Sequence, residues 1–172
     1  MGSWIAVERH PHGRLELVEG DIVDQHVDAV VNAANSSLLG GGGVDGAIHT
    51  AAGPALLDAC RALPADGHGR RCPTGEVRVT PGFGLAARWV IHAVGPVYEE
   101  RYRARAETLL QQTYRSAFAA AAELGARSIA LPAISAGAYR FPVHAAARIA
   151  TAEARSVLDR PGSLEVVRFV LF

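Results

Sequence analysis

Four consecutive glycines, Gly40 to Gly43, run directly into Val44-Asp45-Gly46-Ala47-Ile48-His49, so backbone without side chains meets a carboxylate and an imidazole. Asp45 and His49, four apart, share one face of a predicted helix. Val44, Ala47, Ile48 and Ala51 fall on another, which predicts that the apolar face docks on a sheet while the polar one looks outward. Glycine has no Cβ, so the run can take positive φ and let a ligand touch the main chain. Unsatisfied N–H groups at a helix start attract anions. The expected chemistry is anion binding beside an acid that accepts a proton or orients water. A flexible linker is also glycine-rich, but linkers do not usually pass straight into an amphipathic helix.

A second stretch, Pro132-Ala133-Ile134-Ser135-Ala136-Gly137-Ala138-Tyr139-Arg140-Phe141-Pro142, again offers small residues, a hydroxyl and free N–H groups ahead of a helix. Two such cradles suit a ligand with two phosphates. An ordinary strand-to-helix loop with a capping serine accounts for the second equally well. All 17 basic residues are arginine, which removes Schiff-base lysine chemistry and a Walker-type lysine. A bound phosphate must then be held by backbone dipoles or arginine. With 17 acidic residues the formal charge is zero, so no global field draws the chain to nucleic acid or a membrane.

These loops need elements to hold them. Residues 4–8 and 14–19 read as two strands of an edge hairpin, with Glu16 and Glu19 alternating against Leu15 and Leu17. Residues 29–32 suit a strand buried on both faces, feeding the glycine loop. Pro54 opens a second helix through Leu56, Leu57, Cys60 and Leu63. Residues 66–74 read as an exposed loop, 76–80 and 89–94 as strands, and 107–124 as a helix capped by Gly125. Residues 128–131 form a strand, 142–158 a helix starting on proline, and 166–172 a final strand. Strands alternating with helices predict one α/β sandwich around a mostly parallel sheet, and open α/β sheets bind ligands beyond the carboxyl ends of their strands.

The 172 residues, 49% hydrophobic and 20% charged, suit one compact domain. Two cysteines and no run of eighteen apolar residues lead us to expect a soluble, cytoplasmic protein of a reducing compartment. Alanine- and arginine-rich usage without lysine points to a bacterial source. Cys60, His68 and Cys72 are conceivable zinc ligands, but Cys60 lies on the inward stripe of its helix, where packing explains it better. No metal and no cofactor are expected. His92, mid-strand among apolar neighbours, reads as a satisfied core histidine.

Gly20-Asp21-Ile22, Val31-Asn32-Ala33-Ala34-Asn35, the run from Leu39 through His49, Ala51-Ala52-Gly53-Pro54, Val90-Ile91-His92-Ala93-Val94-Gly95-Pro96 and Ser135-Ala136-Gly137 stand in one order and spacing. In these blocks, which span nearly the whole chain, the sequence resembles the macrodomain family in its MacroD-type branch. The resemblance implies a single domain over residues 1–172, built as a three-layer α/β/α sandwich with a mixed, mostly parallel central sheet. It also implies a pocket for ADP-ribose. The implied activity is removal of mono-ADP-ribose from modified proteins, at an ester on the distal ribose, together with deacetylation of O-acetyl-ADP-ribose.

Carried onto this chain, the resemblance makes Asp21 the acceptor for the adenine amino group, with the Ile22 backbone completing that contact. Asn35 would hold the distal ribose. Gly41, Gly42, Gly43 and Val44, with Ser135, Ala136, Gly137, Ala138 and Tyr139, would wrap the diphosphate and distal ribose, and Phe172 would lie against adenine. Asp45 is the implied catalytic acidic residue, positioning water together with the bound diphosphate, with Asn35 beside it and His49 in support; the proton acceptor is either Asp45 itself or a phosphate oxygen of the substrate. Arg140 stands where relatives commonly carry a small residue, and many relatives continue past the position of Phe172 into a further helix. Expected partners are ADP-ribose, mono-ADP-ribosylated proteins and O-acetyl-ADP-ribose, with no membrane and with nucleic acid only as an ADP-ribosylated substrate. A monomer is the default. The competing reading is a module that binds ADP-ribose and cleaves nothing; Asp45 together with Asn35 favours the enzyme.

Overall fold

Along Ala29-Val30-Val31-Asn32 successive side chains point to opposite faces of a sheet, and both faces are covered. Ala29 and Val31 join one buried cluster while Val30 joins another. The computed structural model describes residues 3–172. Its strands are β1 (Ser3–His10), β2 (Gly13–Glu19), β3 (Ala29–Ala33), β4 (Val77–Pro81), β5 (Trp89–Ala93), β6 (Ser128–Leu131) and β7 (Val166–Leu171). The helices are α1 (Gly43–Ala52), α2 (Pro54–Ala62), α3 (Arg103–Glu123) and α4 (Val143–Leu158), with short 3-10 turns at Ile22–Asp24 and Glu100–Tyr102.

The strands form one sheet in the order β1-β2-β7-β6-β3-β5-β4. Neighbours from β2 to β5 run parallel, and the antiparallel β1 and β4 close the two edges. Leu110, Tyr114, Ala117, Phe118 and Ala121 of α3 and Ile149, Ala150 and Ala154 of α4 pack with Val31, Ile91, Ile129, Leu131, Val167 and Phe169 on one face. Ile48 and Ala52 of α1 and Leu56 of α2 pack with Val18, Val30, Val90, Ala130 and Val170 on the other. The result is a three-layer α/β/α sandwich with a mixed sheet, as expected from the sequence.

Element types follow the expectations, and four details differ. Helix α3 begins at Arg103 rather than residue 107, extended by an i,i+4 pair in which Arg103 Nε donates to Glu107 at 3.1 Å. Glu16 does not face solvent. It is 1% exposed, because Arg14 and Arg168 supply guanidinium groups at 2.6 and 2.7 Å that compensate its charge. Cys72 lies in the polar 66–74 segment yet is fully buried, packed with Ala34, Leu38, Cys60 and Val94.

The fourth difference bears on chemistry. Helix α1 buries Asp45, Ile48 and Ala52 while Ala51 is exposed, so the helix is rotated toward the acid. The expected outward polar face points inward, since polar groups on the sheet are there to receive it. No helix of the described residues is long and apolar enough to cross a membrane.

Candidate functional site

The carboxyl ends of the parallel strands β3, β5, β6 and β7 open onto one cleft of about 790 Å³. That is ample for a nucleotide-sized ligand. Its floor comes from the ends of the strands and the residues that leave them: Ala33 at the end of β3 and Ala34 after it, Gly95 after β5, Pro132 after β6, and Val170 and Leu171 at the end of β7.

Beyond β3 the chain folds back on itself. The Asn35 side chain accepts from Ser37 N–H at 3.1 Å and from Ser37 Oγ at 2.6 Å, and donates to the Gly40 carbonyl at 3.0 Å. This tie, with positive φ at Leu38 (60°), Gly40 (90°) and Gly43 (58°), turns the chain into α1. Gly42 caps the helix without a side-chain bond, and Gly46 N–H makes the first bond back, to the Gly42 carbonyl at 3.4 Å. Among the described residues the N–H groups of Gly41 to Asp45 find no protein acceptor. They form an uncharged donor cluster at the positive end of the helix dipole.

The second wall is the β6–α4 loop. Ile134 N–H is anchored to the hydroxyl of buried Tyr114 at 3.2 Å, Arg140 N–H bonds Gly137, and Phe141 N–H bonds Ser135. The N–H groups of Ser135, Gly137, Ala138 and Tyr139 take no acceptor among the described residues. Ser135 holds φ of 65° and its buried Oγ has no partner. Strained backbone and an orphaned hydroxyl beside a cleft are features of a ligand cradle. Arg140 adopts φ of 56°, a conformation that suits the small residue expected there, and it is not among the residues that line the cleft.

Asp45 is the acidic residue in that lining, and no arginine is in it. Its Oδ1 accepts from Asn32 Nδ2 at 2.7 Å, and His49 Nε2 lies 3.4 Å from the same oxygen. Its Oδ2 faces the glycine loop, only 3.1 Å from where a side chain at Gly41 would begin. One oxygen is pinned inward and the other is presented to the cleft. The Tyr139 hydroxyl is held above its usual pKa by burial and by the negative charge of Asp45, which links the two loops electrostatically. His92, beneath Asp45, is pushed down to about 4 by burial and secondarily by His49. Cys60 is pushed up to about 11 by burial and by Asp45, so it is an inert thiol.

Asn35, Gly41 to Asp45, Ser135 to Tyr139 and Phe172 therefore gather around one cleft. Asp21 and Ile22 are outside this lining. Asp21 caps the Ile22–Asp24 turn by accepting from Val23 N–H at 3.1 Å, and Gln25 ties that turn to Arg168 on β7. His49 lies behind Asp45 rather than in the cleft. Cys60 and Cys72 are buried while His68 is exposed, and no three metal-ligating side chains cluster among the described residues. Sequence reasoning missed Gly95 and the floor residues. Gly95 was signalled by the Gly95-Pro96 step after β5, where a Cβ would stand 2.2 Å from Ser135 Oγ.

A family model described as Macro domain matches residues 31–150. A macro domain-containing protein of Streptomyces nogalater is 54% identical over 161 residues, covering 92% of this chain and 84% of its own. The macrodomain of Oceanobacillus iheyensis, solved with ADP, superposes with a TM-score of 0.92 at 42% identity, over 100% of this chain and 90% of that one. The Trypanosoma brucei macrodomain in complex with ADP-ribose gives 0.81 at 43% identity, over 91% and 62%. The chain belongs to the macro domain family.

Proposed function

We propose that this chain binds ADP-ribose and hydrolyses its ester at the distal ribose, releasing mono-ADP-ribose from modified proteins and acetate from O-acetyl-ADP-ribose. The observation that carries this reading is the orientation of Asp45, one oxygen pinned by Asn32 and the other turned to the cleft beside free N–H groups. A bound diphosphate would sit between the N–H groups of Gly41 to Asp45 and those of Ser135 to Tyr139. Adenine would extend toward Phe172 and the Asp21 turn, and the distal ribose toward Asn35, Asp45 and Tyr139. Neutral dipoles suit a doubly charged ligand that must also leave, since they hold it without arginine ion pairs.

In the ester reaction, water adds to the acyl carbon while Asp45 Oδ2 orients it and accepts its proton. The acyl–oxygen bond breaks, the acyl group leaves as the carboxylic acid, and the ribose oxygen departs as a hydroxyl carrying the proton that Asp45 had accepted. His49 supports Asp45 from behind. Positioned general-base catalysis contributes about 10²- to 10⁴-fold in rate. Incubation with a mono-ADP-ribosylated protein should release free ADP-ribose, and Asp45→Ala should lose turnover by that factor while still binding ADP-ribose. Equal turnover in the variant removes the role given to Asp45. Tight binding with no turnover by the wild type replaces the hydrolase with a reader module.

A further inference from the structure

Beneath Asp45 a file of buried polar side chains crosses the sheet, away from the cleft. Asn32 and His92 are paired neighbours on the parallel strands β3 and β5, both with no exposed surface. Thr80, 3% exposed, comes from the antiparallel edge strand β4. Asn32 Nδ2 is 2.7 Å from Asp45 Oδ1 and 3.2 Å from His92 Nδ1, and His92 Nε2 is 3.0 Å from Thr80 Oγ1. The other titratable groups facing His92 are Cys60 from α2, whose Sγ is 3.7 Å from Nε2, and His49 from α1, with ring centroids 6.3 Å apart.

The donor pattern of this file has one solution. A carboxylate only accepts, so Asn32 must turn its NH₂ toward Asp45. That same nitrogen faces His92 Nδ1, which must therefore offer a lone pair. The ring proton then sits on Nε2 and is donated to Thr80. We propose that His92, held as its Nε2–H tautomer with Thr80 accepting the ring proton, locks the amide orientation of Asn32 and through it the rotamer of Asp45. Thr80 and His92 are thus positioning residues that never meet the substrate. The opposite tautomer aims an N–H at Asn32, turns the amide over, and sets its oxygen against Asp45 Oδ1. Burial holds His92 neutral, so protonation does not scramble the pattern near neutral pH.

The rate consequence rests on the hydrolase reading above, whereas the tautomer does not. Thr80→Val keeps the shape but removes the acceptor. It should lower kcat about tenfold, the worth of one lost hydrogen bond, and leave the Kd for ADP-ribose unchanged. Thr80→Ser should recover the rate. Nitrogen-15 NMR of the histidine rings should show His92 protonated at Nε2 alone in the wild type, and Thr80→Val should populate the Nδ1–H form. Unchanged kcat in Thr80→Val, a parallel loss of binding that marks a merely structural role, or a wild-type proton on Nδ1 overturns the relay. If the wild type shows no turnover, the hydrolase reading fails, and the tautomer and its response to Thr80→Val decide the relay on their own. If Thr80→Val does not fold, the wild-type ring spectrum decides.

Discussion

Gly95→Ala tests whether the two backbone cradles, rather than any charged side chain, hold the diphosphate. A Cβ built at Gly95 stands 2.2 Å from Ser135 Oγ and 2.6 Å from Ile134 Cγ2. Ser135 can swing its hydroxyl aside, but Ile134 is 1% exposed and its N–H is tied to Tyr114, so it has no space to retreat into. Carbon–carbon contact needs about 3.5 Å, so the β6–α4 loop must shift by about 1 Å. A shift of that size breaks N–H contacts to a charged ligand, each worth about 1.5 to 3 kcal/mol. Losing one or two should weaken ADP-ribose by about 10²-fold. The overpacked site should also cost about 1 to 3 kcal/mol of stability. Calorimetric titration with ADP-ribose, well below the variant's melting temperature, reads the effect. A folded Gly95→Ala protein that binds as tightly as wild type refutes the placement of the diphosphate against this loop.

Three other outcomes are expected. His92 stays neutral in the fold down to about pH 4, while in the unfolded chain it takes a proton below its ordinary 6.5. The unfolded state then binds more protons between those values, so stability should fall by about 3 kcal/mol as pH drops through that window and level off below it. Urea midpoints across the range, with His92→Gln lacking this component, check it. Tyr114→Phe removes the acceptor of buried Ile134 N–H and should destabilise by about 1 to 3 kcal/mol, read by thermal melting, while loosening the loop for ADP-ribose. Phe172→Ala should leave melting unchanged, since this ring is fully exposed, but should weaken ADP-ribose more than it weakens ribose 5-phosphate, as measured by competition.

The fold is legible in the residues because its signals are local. Strand alternation, the proline at the start of α2, Gly125 beyond α3 and the hydrophobic stripe of α3 each act within a few positions. Most of the cleft is legible for the same reason, since free N–H groups follow from glycine runs and helix starts. What escaped depends on partners distant in sequence. Glu16 is buried because Arg168 reaches it from β7. Gly95 matters because Ser135, forty residues later, leaves no space for a side chain. The rotation of α1 is the sharpest case. Periodicity assigned its apolar face to the sheet, and nothing local to the helix reveals that Asn32 and His92 wait there.

That rotation also explains why Asp45 keeps so little exposed surface in a site proposed to work on water. An exposed carboxylate at this position would satisfy the helix dipole equally well, but would sample several rotamers and be screened by solvent. Burial at 5% exposure removes that freedom, and it is tolerable because Asn32 donates to one oxygen and the N-terminal dipole of α1 faces the other. The wiring follows from sheet geometry. A polar residue in the middle of β3 points into the α1 layer only at the parity of Val30, and Asn32 and its register partner His92 both have it. Shifting either by one residue would place it in the α3–α4 core and leave Asp45 unheld. The acid is aimed from behind, by residues in the strands, while the cleft in front of it is lined largely by glycine and alanine and carries no arginine.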